Sequence, residues 1–185
     1  MRRALDTLYT AALWASALCL VTIALLVGAQ LVGRLLDGAL ALLHLPRTDF
    51  NILSLNEICG YLLVGASFLA LAGTLKAGAH IRVTLVLAAL SERTRRFVEI
   101  WAFGFAAAAC GYGTYQLVNF TWVSLRFHEV SNGVIKVPLA IPQAAMALGA
   151  LILTVALVDE LIIVVRGGRP TFRMAEDAIT LGKEG

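Results

Sequence analysis

Charge is what this sequence has least of, and the shortage is concentrated in long stretches. Only 15% of its 185 residues are Asp, Glu, Lys or Arg, against 59% hydrophobic residues. A soluble domain of this size needs more charge to cover its surface, so the composition argues for a membrane protein. Cysteine is scarce too. Cys19, Cys59 and Cys110 lie within or beside apolar runs, without metal-ligand spacing or a disulfide framework. They read as small packing residues. Proline is confined to the ends of apolar runs, at Pro46, Pro138, Pro142 and Pro170. There is no nucleotide-binding loop, no Ser/His/Asp or metal constellation, and no paired charge in the middle of any run. These absences argue against an enzyme, and nothing in the sequence asks for a cofactor.

What is present is a set of uncharged runs. No charged residue lies between Asp6 and Arg34, Glu57 and Lys76, Glu99 and Arg126, or Lys136 and Asp159. Each run is close to or above the ~20 residues that cross ~30 Å of hydrocarbon as a helix, the form that satisfies backbone polar groups in lipid. The expectation is an all-α integral membrane protein with four transmembrane helices, near residues 8–33, 54–75, 97–125 and 137–165. These make one membrane domain over residues 1–166, followed by a mobile cytoplasmic tail over 167–185. Basic residues set the orientation. Arg2 and Arg3 precede the first run; Lys76, Arg82, Arg93, Arg95 and Arg96 lie between the second and third; Arg166, Arg169, Arg173 and Lys183 follow the fourth. Only Arg34, Arg47, Arg126 and Lys136 fall in the other two connections. The positive-inside rule then places both termini and the middle connection in the cytoplasm. A cleaved signal peptide is the competing reading of residues 1–33. The run is long for such a segment, and no clear small-x-small site precedes Arg34.

Between the runs the sequence predicts smaller features. Ala39–Leu45 is apolar but too short to span, which suggests a half-helix lying in the outer interface before Pro46. From Ala79 the middle connection is apolar with basic flanks, which predicts an amphipathic helix on the inner surface between spans two and three. His80, Arg82, Arg93, Arg95 and Arg96 are its candidate inner-leaflet anchors. Phe120, Trp122 and Phe127 read as an interface belt, and Ser131–Gly133 as a turn. Pro138 and Pro142 suit the first turn of the fourth helix. Gly104, Gly111 and the pair Ala145 and Gly149 are small residues that permit close helix approach in lipid.

Ser54 and Glu57 are the most distinctive pair. Their S-x-x-E spacing predicts a capping box at the start of the second helix, where a carboxylate also complements the helix dipole. The alternative is a carboxylate that pairs across a subunit interface, as an ionisable group at a membrane helix invites. His44 and His128 fall on outer connections and His80 on the inner side, so the one pair at matching depth lies outside the hydrocarbon, which argues against a haem. Asp159 and Glu160 sit near the cytoplasmic end of the fourth helix, where headgroup water or the basic connection can meet them. Gln30, Asn119 and Gln143 lie near helix ends and can bond neighbouring helices. Taken by itself the chain reads as a membrane helper that packs on something larger. A self-assembling four-span channel or exporter and an anchor subunit of a respiratory complex are the other readings.

The residues resemble a known family. Glu57 opening the second helix, Tyr61–Val64, and the Gly78-Ala-His-Ile-Arg-Val83 segment match the DctQ-like small membrane subunit of tripartite ATP-independent periplasmic (TRAP) transporters. Arg93, Arg95, Arg96 and Glu99, Ser131–Gly133, and the Pro138–Gln143 entry to helix four extend the likeness over residues 5 to 165. Family members often carry Trp where Ala140 stands and Pro where Ala147 stands. The resemblance implies a scaffold or accessory subunit in a bacterial inner membrane, partnered by a large multi-span permease and a periplasmic binding protein. It implies sodium-coupled uptake of organic acids, commonly carboxylates, with the substrate path on the larger subunit. It places Glu57 and the outer connections near the docking side, and residues 80–96 at the inner leaflet.

Overall fold

The computed structural model describes residues 2–48, 50–77 and 91–168. Within them the chain forms four α-helices: α1 (Arg2–Leu42), α2 (Leu55–Lys76), α3 (Glu92–Phe127) and α4 (Ala140–Val165). Three of them, α1 from Leu5, α2 and α4, are long and apolar enough to cross a membrane. Helix α3 is longer than α2 or α4, but Gly, Thr, Tyr, Gln and Asn dilute its apolar character. The helices stand in a row whose order is not the chain order. Helix α1 packs on α2, α2 on α4, and α4 on α3, while the other pairs make at most marginal contact.

Helix ends follow the local chemistry more closely than the edges of the apolar runs. Helix α1 does not stop at Gly33. It runs on through Arg34 to Leu42, so Ala39–Leu45 is its last turn and not a separate half-helix. Isolated glycines weaken a helix by only ~1 kcal/mol each, too little to break one this long. The end comes at His44, which adopts the left-handed conformation (φ 55°) while Leu45 N–H donates to the Leu40 carbonyl at 2.9 Å. His128 ends α3 and Gly167 ends α4 in the same way, each followed by a residue that donates back five positions. This is the Schellman ending, in which a left-handed residue lets the chain satisfy orphan carbonyls. His44 and His128 are therefore helix terminators.

Helix α3 starts five residues earlier than the expected start at Phe97, because Ser91 caps it: its Oγ accepts from Thr94 N–H at 3.4 Å. Arg93, Arg95 and Arg96 therefore lie on the first turns of α3. Helix α4 starts later than expected, at Ala140. Residues 128–139 form a small hairpin first, with a bridge between Val130 and Pro138 and a 3.0 Å bond from Leu139 N–H to the Glu129 carbonyl. Pro138 belongs to that hairpin, and only Pro142 occupies the first turn of α4. The predicted inner-surface helix and the tail from residue 169 on lie outside the described residues.

The buried apolar core lies toward the Lys76 end of the bundle, where Tyr9, Leu75, Phe103 and Leu157 meet small side chains such as Ala72 and Ala156. Toward the Glu57 end, small residues and polar bonds replace bulk. A Cβ on Gly149 would collide with the backbone of Phe68, so α2 and α4 cross there in direct contact. One turn away, the Gly65 backbone faces the Ala145 methyl. Ser16 on α1 donates to the Ala66 carbonyl on α2 at 2.8 Å, and Thr114 and Thr154 join α3 to α4 at 3.0 Å.

Candidate functional site

Two polar centres stand at opposite ends of the helices. The first is built around Glu57 on the opening turn of α2. Its Oε1 accepts from the Tyr61 hydroxyl at 2.7 Å, one helical turn on. Its Oε2 is buried and has no hydrogen-bond partner among the described residues. The 128–139 hairpin folds over this carboxylate, and the space a Gly133 side chain would need is filled by Oε2. Only glycine permits so close an approach without displacing the acid.

The capping box predicted for Ser54 and Glu57 does not form. An N-cap serine needs an extended backbone to aim its oxygen at the helix. Ser54 is instead left-handed (φ 55°, ψ 24°), and its side chain makes no capping bond. Its Oγ turns outward and accepts from Ile135 N–H of the hairpin at 3.1 Å. The Ser54 carbonyl receives the Glu57 and Ile58 N–H groups, each at 3.0 Å. Both residues thus pin the hairpin onto α2 and do not close the helix upon itself.

Beside this centre lies a cleft of about 370 Å³, lined by Gln30, Arg34, Asn51, Ser54, Asn56 and Val134 among others. Gln30 braces it from α1: its amide donates to Asn51 at 2.8 Å and accepts from Ile52 N–H at 2.8 Å. The cleft is open and shallow, and its polar walls are largely occupied by bonds within the chain. A second hollow, about 310 Å³, runs between α1, α2 and α4 and is apolar apart from Tyr61 and Cys19. Neither offers a charged solute a path along the row.

The other polar centre gathers the charges expected at the cytoplasmic end. Lys76 pairs with Asp6 and lies over the Tyr9 ring, 4.6 Å from its centroid. Tyr9 is only 2% exposed, with Asp6, Asp159 and Glu160 close enough to act on its hydroxyl. Glu160, expected to meet headgroup water or the basic connection, is 2% exposed and packed inside, away from water. Arg95 pairs with Glu99 at 3.5 Å, and the Arg96 guanidinium donates to the Val165 carbonyl at 2.7 Å. Arg96 thereby ties the start of α3 to the end of α4, where a cation also opposes the helix dipole. Arg93 is exposed. His80 and Arg82 lie outside the described residues.

The small-residue candidates separate in the same manner. Gly149 and Ala145 make the α2–α4 crossing, and a Cβ on Gly111 would only touch the Thr154 methyl at 3.7 Å. A Cβ on Gly104 would meet nothing within 4 Å, so no neighbouring helix requires glycine there among the described residues. Sequence reasoning missed Tyr61 as the partner of Glu57, and Lys76 with Asp6 and Tyr9. Only Tyr61 left a signal, standing four residues after Glu57 on one helix face. The other contacts join residues about seventy positions apart.

Among the described residues, no three His, Cys, Asp or Glu side chains converge as metal ligands. The geometry is that of a bundle braced at both ends with a lean middle. No curated protein matches the chain at a significant level. A family model does, for the DctQ component of tripartite ATP-independent periplasmic transporters, and it covers residues 23–167. With that span of match running from within α1 through the end of α4, the chain belongs to the DctQ family, the small membrane component of TRAP transporters.

Proposed function

We propose that this chain is the scaffold subunit of a TRAP-type secondary transporter, supporting a large permease that takes up organic acids with sodium after a periplasmic protein delivers them. The family match carries this reading. The physical character of the row supports it. Helices packed side by side enclose no pathway, and most of their large apolar side chains point outward, as expected of a part built to be surrounded. In this reading all four helices span a bacterial inner membrane, α3 included. Helix α3 is long enough, its uncharged stretch runs from Ile100 to Leu125, and α4 covers its polar Thr114. The Lys76 end faces the cytoplasm with both termini, since the basic residues gather there. The Glu57 end with its hairpin faces the periplasm, on the side where a binding protein arrives.

The role is tested in cells that carry the large subunit and the binding protein. Removing this chain should abolish sodium-driven uptake, and supplying it from a plasmid should restore uptake. Undiminished uptake without it would overturn an essential role. Solute flux in liposomes holding this chain alone would favour the channel reading instead.

A further inference from the structure

Depth, width and polarity define the apolar hollow between α1, α2 and α4. Its wall on α2 runs from Ile58 to Leu69, about 16 Å along the helix axis. It begins directly after Glu57, where the uncharged run of α2 starts, and extends over about half of the ~30 Å of hydrocarbon. The hollow therefore has the depth of one leaflet. Spread over that length, its 310 Å³ make a channel roughly 5 Å across, half the diameter of a helix with its side chains. Tyr61 contributes only its ring to the wall, because its hydroxyl is bonded to Glu57 at 2.7 Å. Water would find too few polar partners there. Ile141 on the rim is 64% exposed, so the channel opens outward, toward the hydrocarbon.

The polar cleft continues this line at headgroup level. Leu55 in the cleft and Ile58 in the hollow are one turn apart on α2, and the hairpin lines the two with Val134 and Val137. Arg34 is the charged residue in the cleft wall, and no carboxylate lines it. Its guanidinium is exposed, with no hydrogen bond or ion pair among the described residues. Asp37, one turn further on, accepts from Thr48 N–H at 2.7 Å. Side chains on a helix lean toward its N-terminus, and α1 starts at the Lys76 end, so Arg34 leans back toward the membrane. A cation thus stands at the mouth of a channel that is apolar below it.

We propose that hollow and cleft together hold one phospholipid of the leaflet on the Glu57 side, with an acyl chain in the hollow and the phosphate on Arg34. The site does not depend on the scaffold reading above. A second copy of this chain, or any partner helix, is twice too wide for the channel and could only cap it. Nor does the rest of the chain reach along it. Residues 78–90 leave and rejoin the bundle at the Lys76 end, so even fully extended they turn back within about 23 Å. Ile58 lies about 27 Å from Lys76 along α2. Residues 169–185 start from that same end and carry six charges, which hydrocarbon does not admit.

The test purifies the full chain from its membranes in a mild detergent and weighs it by native mass spectrometry. The expected result is one phospholipid retained per chain. Arg34→Gln should lower the retained fraction about fivefold, the scale for one basic residue at a lipid headgroup, while Arg34→Lys keeps most of it. Cys19→Phe, which fills the hollow from α1, should lower it as far, and Leu25→Phe on the outward face of α1 should not. A chain that retains no phospholipid, or retention indifferent to both Arg34→Gln and Cys19→Phe, would overturn the proposal. So would a delipidated chain that takes up inorganic phosphate but not phosphatidylglycerol, the mark of a bare anion site. A second measurement needs no variant. The parent chain is placed in vesicles of phosphatidylglycerol that carries a diazirine midway along one acyl chain. Illumination should leave adducts on the wall of the hollow, at Leu62, Gly65 or Leu69. Adducts confined to outward residues such as Leu25 would overturn the proposal. Loss of the hollow adducts when a second copy or a larger membrane subunit is bound would do the same, because a protein would then occupy the site.

Discussion

Tyr61 supplies the one hydrogen bond that the Glu57 carboxylate accepts among the described residues, and the other oxygen is buried against Gly133. Tyr61→Phe would leave both oxygens without a donor, and a buried group stripped of its partner costs about 1–3 kcal/mol. Thermal unfolding of the purified subunit in detergent should therefore begin at a lower temperature, and an unchanged midpoint would contradict this geometry. Gly133→Ala should act in the same direction, because its methyl group displaces the carboxylate from beneath the hairpin. Ser54→Ala should cost less, near 1 kcal/mol, since it removes a single exposed bond to the hairpin. At this scale the sequence was only half legible. It singled out Ser54 and Glu57 as a pair by their spacing, yet their roles come from a hairpin some eighty residues away. A left-handed serine cannot be read from four letters, because it is imposed by what docks on it.

Helices show the opposite balance. The uncharged runs located all four, since charge-free length is a local property of the chain. Their ends were less legible. A run of apolar residues says where hydrocarbon can be crossed, but capping decides where a helix stops, and Ser91, His44 and His128 are caps. Small residues illustrate the same gap between composition and packing. Gly104 and Gly149 are indistinguishable as letters on a helix, yet one faces open space and the other touches the Phe68 backbone. Gly104→Ala should be neutral or stabilising by up to ~1 kcal/mol through helix propensity alone. Gly149→Ala should destabilise by about 1–3 kcal/mol, because backbone must move to admit the methyl group. Side-by-side melting curves of the two variants test this. Equal midpoints would mean that α2 and α4 do not cross where the structure has them.

For the whole molecule, orientation is the property most exposed to test. Reversing Arg93, Arg95 and Arg96 to Glu together should disturb insertion, because it inverts the charge of the connection that the positive-inside rule retains in the cytoplasm. A single cysteine at Asn132 reports the outcome. In the parent it should be labelled only from the outer side, and unchanged labelling in the triple variant would refute this use of the charges. Arg96→Gln alone separates the two roles of that residue. It should weaken the tie to α4 by about 1.5–3 kcal/mol, the range for a bond to a charged group, while leaving labelling as it was. The order of the row carries one more consequence. Helix α3 touches α2 scarcely at all and depends on α4, which follows it in the chain. During synthesis α3 therefore waits without a helix partner until its successor packs beside α2. A chain cut short after Phe127 should leave a sound α1–α2 pair and a stray helix, so quality control of this subunit hinges on the arrival of α4.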